Sequence, residues 1–291
     1  MISSEFFTQP TAEDTNKPEG LIVIYVSQDG PTMLLCGEVM GKKRVFKALK
    51  PDFRGNELYE RMLRKEFEIG YSLSHPGIAQ TISFLNLPQC GNCIEMEWID
   101  GMTLDEYARA GRSQDSLRRV MLQVCDALSY LHSRQVCHRD IKPSNILVTH
   151  NGHNVKIVDF SLSDSDSHAL LKNPAGTRHY AAPELLGRES SGDARSDIYS
   201  LGMVMKDLGL FPKAASRCCQ PSPGKRFQDI DAVKKSIEES NGRRLQVIIG
   251  IAAGLFAVIV AAMAALRSGQ DRTNEKIFDQ ATQIILRKEA R

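Results

Sequence analysis

The sequence predicts an α+β fold in two lobes, strand-rich first and helix-rich second, followed by a single apolar helix of membrane length. Three observations predict it. Short β-type runs crowd the stretch from Leu21 to Ile99. A strongly amphipathic helical pattern opens the part after Gly101. Val247 to Leu266 is a run of 20 residues without a polar side chain.

In chain order, residues 1–19 are polar and read as a flexible lead, without the basic flank and apolar run of a signal peptide. LIVIYV, TMLLCGEVM and KRVFKAL then read as strands, separated by turn signals at Asp29-Gly30-Pro31 and Gly41-Lys42. NELYERMLRKEFEIGYSL reads as a helix, with Leu58, Met62, Phe67 and Ile69 as its apolar positions and His75-Pro76-Gly77 as its stop. TISFLNL and CIEMEWI add two strands, and the Gly-Asn centre of Cys90-Gly-Asn-Cys93 reads as the tight turn between them. That pair has redox or metal spacing, but no second CxxC or spaced His pair completes a zinc ligand set. The first lobe thus spans 20–99 and the second 100–242. In the second, SLRRVMLQVCDALSYLHSRQ lines up Leu117, Val120, Met121, Val124, Leu128 and Leu131 on one face.

The apolar run is about 30 Å long as a helix, which matches a bilayer core. Arg243-Arg244 and Arg267 bracket it, so a transmembrane helix over 245–266 is expected, with a 25-residue tail over 267–291. Gly250 and Gly254 form a GxxxG, a spacing that lets two such helices pair into a homodimer. The formal net charge of +2 and the 25% of charged residues give no reason to expect a nucleic-acid partner.

The residues that carry chemistry cluster in HRDIKPSNILV, His138 to Val148, just before a strand-like VKIVDF. Asp140 can accept or orient the proton of a hydroxyl, and Lys142 can neutralise charge on a moving phosphoryl group. Asn145 offers an amide oxygen and Asp159 a carboxylate, hard ligands of the kind Mg2+ takes together with phosphates and water.

HRDIKPSN, VDFS, AAPE at Ala181 to Glu184 and SDIYSLG at Ser196 to Gly202 follow one another in an order that resembles the protein kinase family. The resemblance covers about residues 20 to 240 and implies ATP bound between two lobes. It makes Lys47 the lysine of the phosphates and Glu66 its helix partner. It makes backbone groups at Glu97 and Ile99 the adenine contacts, Asp140 the catalytic aspartate, and Asn145 and Asp159 the magnesium ligands. It pairs Glu184 with Arg226 and has Asp197 brace the catalytic loop. Lys142 and Gly176-Thr177 resemble the serine/threonine branch, and Ser161, Ser163 and Thr177 are candidate phosphate acceptors, with Arg139 as a partner for the phosphate. The implied function is a membrane-anchored kinase acting on protein substrates, its kinase domain cytoplasmic at a plasma membrane of bacterial type. The alternative is a membrane-tethered scaffold that has lost transfer.

Three features depart from the family pattern. The stretch VSQDGPTMLLCGE keeps only Gly30 and Gly37 where a glycine-rich phosphate loop belongs. DFS replaces DFG, and the Ser161 Cβ is costly if that position needs a positive φ. Only 23 residues separate Gly202 from Arg226, which shortens the second lobe and leaves little room for a substrate-docking helix.

Overall fold

The structure is a computed structural model and describes residues 17–28, 30–161, 163, 179–186, 193–240, 254–263 and 277. Its first lobe is a five-stranded antiparallel sheet in the order β1-β2-β3-β5-β4. The strands are β1 (Glu19–Val26), β2 (Thr32–Val39), β3 (Lys42–Leu49), β4 (Thr81–Leu87) and β5 (Gly91–Glu97). Period-two alternation decides the faces. Met33, Leu35, Phe46, Ala48, Cys90 and Cys93 pack together on one side. The other side presents Lys47 beside Ile94, directly opposite in the register.

Helix α1 (Glu57–Tyr71) packs on β3, β4 and β5 on the Lys47 side. Asn56 caps it, accepting the Leu58 N–H at 3.0 Å. Its fully buried residues are Leu63, Glu66 and Gly70, while the expected Leu58, Met62, Phe67 and Ile69 are half-buried, with Phe67 and Ile69 packed against apolar clusters. The face also buries a carboxylate with a buried partner, which hydrophobic periodicity does not register. A Cβ at Gly70 would lie 2.4 Å from Thr81 Oγ1, so a larger residue there would have to displace that side chain.

The β4–β5 hairpin also differs from expectation. Its turn is Pro88–Cys90, closed by the Cys90 N–H to the Leu87 carbonyl at 3.2 Å. Gly91 and Asn92 already belong to β5, paired with Leu87 and Asn86, and Gly91 takes φ +71°. Both cysteines are fully buried free thiols, and a hydrogen bond from Cys93 lowers the pKa of the Cys90 thiol.

The second lobe is built around α3 (Gln114–Ser133), which buries all six residues of its expected apolar face. A small sheet of β6 (Gly101–Thr103), β7 (Ile146–Thr149) and β8 (Val155–Ile157) lies beside it. Helix α2 (Leu104–Arg109) carries a capping box between Thr103 and Glu106. Helices α4 (Ala194–Asp207) and α5 (Pro212–Cys218) complete the packing, and a further helix runs over 230–240. The short interval after Gly202 therefore holds one seven-residue helix, α5, packed tightly on α4. The lobes join at Trp98–Asp100 and again where the Ala79 N–H meets the Ile157 carbonyl at 2.9 Å.

Residues 238–291 form a separate unit. Of the expected membrane helix only 254–263 are described; they are helical, with Leu255, Phe256, Val258, Ile259, Val260 and Met263 exposed. Among the described residues no helix is long and apolar enough to cross a membrane. The rest of that span, Gly250 of the GxxxG and most of the tail lie outside the described residues.

Candidate active site

The cleft between the lobes collects the chemistry-bearing residues on four elements. β3 presents Lys47 and α1 presents Glu66, whose Oε1 accepts from Lys47 Nζ at 2.7 Å. The same ammonium donates to Asp159 Oδ1 at 2.7 Å, a contact between the lobes. Lys47 is 5% exposed. Burial alone would lower its pKa, but the Asp159 and Glu66 carboxylates together hold it above the ordinary lysine value. Burial pushes Asp159 up, yet Lys47 and Ser161 outweigh this and hold its carboxyl well below the usual range. Glu66 is raised, because its burial exceeds the pull of Lys47.

The loop between α3 and β7 presents Asp140, Lys142 and Asn145. Pro143 starts a single 3-10 turn that places Asn145 over the aspartate. Asn145 Nδ2 donates to the Asp140 carbonyl and to Asp140 Oδ2, both at 2.9 Å, and Lys142 Nζ meets Oδ2 at 2.8 Å. Asp140 Oδ1 is buried and takes no hydrogen bond among the described residues. Burial raises the Asp140 pKa, partly offset by Lys142. A buried carboxylate oxygen left open beside two donors is built to receive a proton-bearing group.

The loop is held from below by Asp197 on α4. Its Oδ2 accepts the His138 N–H at 2.9 Å and its Oδ1 the Arg139 N–H at 2.7 Å. This stabilises Arg139 at φ +64°, a costly conformation for a side chain of that size. His132, in the last turn of α3, reaches the same carboxylate at 2.8 Å. Sequence reasoning missed His132, and no motif marks it. Glu184 and Arg226 form a two-pronged pair at 2.6 and 2.7 Å, and Arg226 also donates to the carbonyls of Arg195, Gln220 and Pro221.

The departures from the motif pattern resolve differently. Ser161 is not at positive φ; the strained residue is Asp159, at φ +70°, so the expected Cβ penalty at Ser161 does not arise. The Ser161 hydroxyl instead donates to Asp159 Oδ1 at 2.7 Å. In the β1–β2 connection the Gly30 N–H donates to Ser27 Oγ at 2.8 Å, so this amide is already engaged. Asp29 lies outside the described residues.

Glu97 and Ile99 stand where the lobes join. The Glu97 N–H donates to the Gln80 carbonyl at 3.0 Å, and its carboxylate accepts from Lys156 at 2.6 Å and from the Gln80 N–H at 2.8 Å. Ile99 is half-buried. Ser163 lies near Arg139, whose Nη1 is 3.4 Å from the Ser163 carbonyl. Thr177 lies outside the described residues. For magnesium the donor set fits: Asp159 Oδ2 takes no hydrogen bond from described residues, and Asn145 uses its nitrogen on Asp140, which leaves its side-chain oxygen available.

Comparison with known proteins places these features. The protein kinase domain family model matches residues 30–231. The serine/threonine-protein kinase PrkC of Bacillus subtilis is 33% identical over 197 residues, which cover 65% of this chain and 28% of PrkC. The serine/threonine-protein kinase ppk25 of Schizosaccharomyces pombe is 34% identical over 179 residues, covering 60% of this chain and 42% of that protein. The chain thus spans less than half the length of both relatives. Among solved structures, the Mycobacterium tuberculosis PknI kinase domain superposes with a TM-score of 0.60 over 78% of this chain and 98% of that one, at 20% identity, a likeness of fold. With the family model covering most of the chain and the motif residues converging on one cleft, the chain belongs to the protein kinase family.

Proposed function

We propose that this chain transfers the terminal phosphoryl group of Mg·ATP to serine or threonine hydroxyls of proteins, and that it does so anchored to a membrane by residues 245–266. The observation that carries the chemistry is the buried, open Asp140 Oδ1 flanked by Lys142 and Asn145. A substrate hydroxyl donating to that oxygen is oriented for in-line attack, and its proton has an acceptor. Lys142 stands beside it to offset charge on the moving group, and Lys47, fixed by Glu66, offers its ammonium to the nucleotide phosphates. Magnesium, when bound by Asp159 and the Asn145 oxygen, would neutralise phosphate charge. Backbone groups at Glu97 and Ile99 are the contacts suited to adenine. The serine/threonine preference is supported by the lysine two positions after Asp140 and by relatives named serine/threonine-protein kinases. Anchoring is supported by the uninterrupted apolar run and by the exposure of its described part.

The test is labelled phosphate transfer by the 291-residue chain to generic protein substrates, followed by phosphoamino-acid analysis. Wild type should label serine and threonine, and Asp140→Asn should lose about a thousandfold or more while keeping its melting temperature. Equal background labelling by both proteins would assign a scaffold role instead.

A further inference from the structure

Asp159 Oδ1 is crowded. It accepts Lys47 Nζ at 2.7 Å, Ser161 Oγ at 2.7 Å and the Ser161 N–H at 3.2 Å. Oδ2 takes none from described residues. The carboxylate is carried by a residue at φ +70°, where a non-glycine residue is strained and its orientation must be held by neighbours. Phe160 is held next to it, 5% exposed with its ring 5.2 Å from that of His138, and the Ser163 N–H closes a turn onto the Phe160 carbonyl at 3.0 Å. The hydroxyl contact exists only because position 161 carries a serine, since a glycine has none to give.

We propose that Ser161 is a positioning residue for the divalent cation: its hydroxyl, with Lys47, ties down Asp159 Oδ1 and thereby fixes Oδ2 as the oxygen that meets the metal. The arrangement matters in this chain because the β1–β2 connection commits the Gly30 amide to Ser27, which removes a donor from the phosphates. More of the hold on a nucleotide then passes through the metal, and the metal through Asp159. A loosely held carboxylate must be ordered when it binds the ion, and the Ser161 clamp has met that entropy cost in advance. Ser161 itself has no positive φ, so alanine and threonine fit the backbone at this position.

This inference rests on the Mg·ATP reading, and the experiment separates the two. ADP affinity of the full chain is measured by titration calorimetry with excess EDTA and with excess Mg2+, and the ratio of the two dissociation constants gives the metal coupling. Wild type should show clear coupling. Ser161→Ala should cut the ratio by about tenfold, the scale of one hydrogen bond to a charged group, with metal-free affinity unchanged within about twofold. Ser161→Thr, which keeps the hydroxyl, should stay within about twofold of wild type. Equal coupling in wild type and Ser161→Ala overturns the clamp while leaving the magnesium reading intact. An equal loss of affinity with and without metal means a general packing role and also overturns it. No coupling in wild type overturns the magnesium reading, and the clamp with it.

Discussion

Asp140 is buried and the Asp159 side chain is half-buried, and their protons are held with opposite strength. Asp159 is in direct contact with Lys47, whose charge overcomes the cost of burial; Asp140 has Lys142 as its cation, which only partly offsets that cost. Asp140 must be ionised to accept a hydroxyl proton, and its pKa is raised. Transfer should therefore fall as pH drops through a value above the ordinary aspartate range of about 3.9. Removing the nearby charge in Lys142→Ala should move this acid limb further up, apart from any loss in maximal rate. The kcat–pH profiles of both proteins check this, and a limb at the same pH in each would refute the assignment. Asp140, Lys142, Asn145 and Asp159 were legible in sequence because each lies within a short motif, whereas Lys47 was legible only by family resemblance. Glu66 was legible only by family resemblance, since a lone glutamate in a charged helix carries no signal of its own. His132 was not legible at all: its contact with Asp197, 65 residues away, leaves no local trace.

At the scale of elements, hydrophobic period was a good guide wherever apolar contact alone decides the packing. The face of α3 matched residue for residue, because it is buried among other apolar side chains in the core of the second lobe. The face of α1 matched in part: Phe67 and Ile69 pack half-buried against apolar clusters, but Glu66 is buried by its pairing with Lys47 and Gly70 by the close approach of β4. The β4–β5 turn moved for a similar reason. Gly91 supplies the positive φ with which the chain leaves the turn and enters β5, so the turn lies just before it. The junction of α4 and α5 depends on a single absent methyl group. A Cβ at Gly202 would lie 2.4 Å from the Cys218 Cβ and 2.8 Å from the Cys219 Sγ. Gly202→Ala should therefore destabilise the fold by about 1–3 kcal/mol despite its better helix propensity, as overpacking outweighs the backbone gain of up to about 1 kcal/mol. Urea unfolding gives the number. A stabilised variant would mean that α5 can move away from α4 without loss.

At the scale of the whole molecule, the site exists only when both lobes are in place. The Lys47–Asp159 contact joins residues 112 apart, one from each lobe, and the Ile157 backbone clasps the entry to β4. The order of motifs along the chain announced this arrangement, whereas period and composition indicated only a strand-rich part followed by a helix-rich one. The C-terminal unit poses a different physical question. Leu255, Phe256 and Val258 are each more than 60% exposed, and Ile259 and Met263 more than half. A helix with that surface in water forgoes about 1.5–3 kcal/mol for each large side chain left unburied. A bilayer removes the whole run from water at once, which is why anchoring is the proposal. It predicts that the full chain floats with phospholipid vesicles and stays with them after carbonate washing. Replacing Val258 and Ile259 together by aspartate puts two charges at the centre of the run, each costing about 2.5–3.5 kcal/mol in a bilayer. That variant should leave the vesicle fraction while its ADP binding stays as in the parent, because neither residue belongs to the unit that holds the cleft. If the parent chain sediments free of vesicles, or the double variant floats as the parent does, the anchor is wrong and the apolar run needs a protein partner instead.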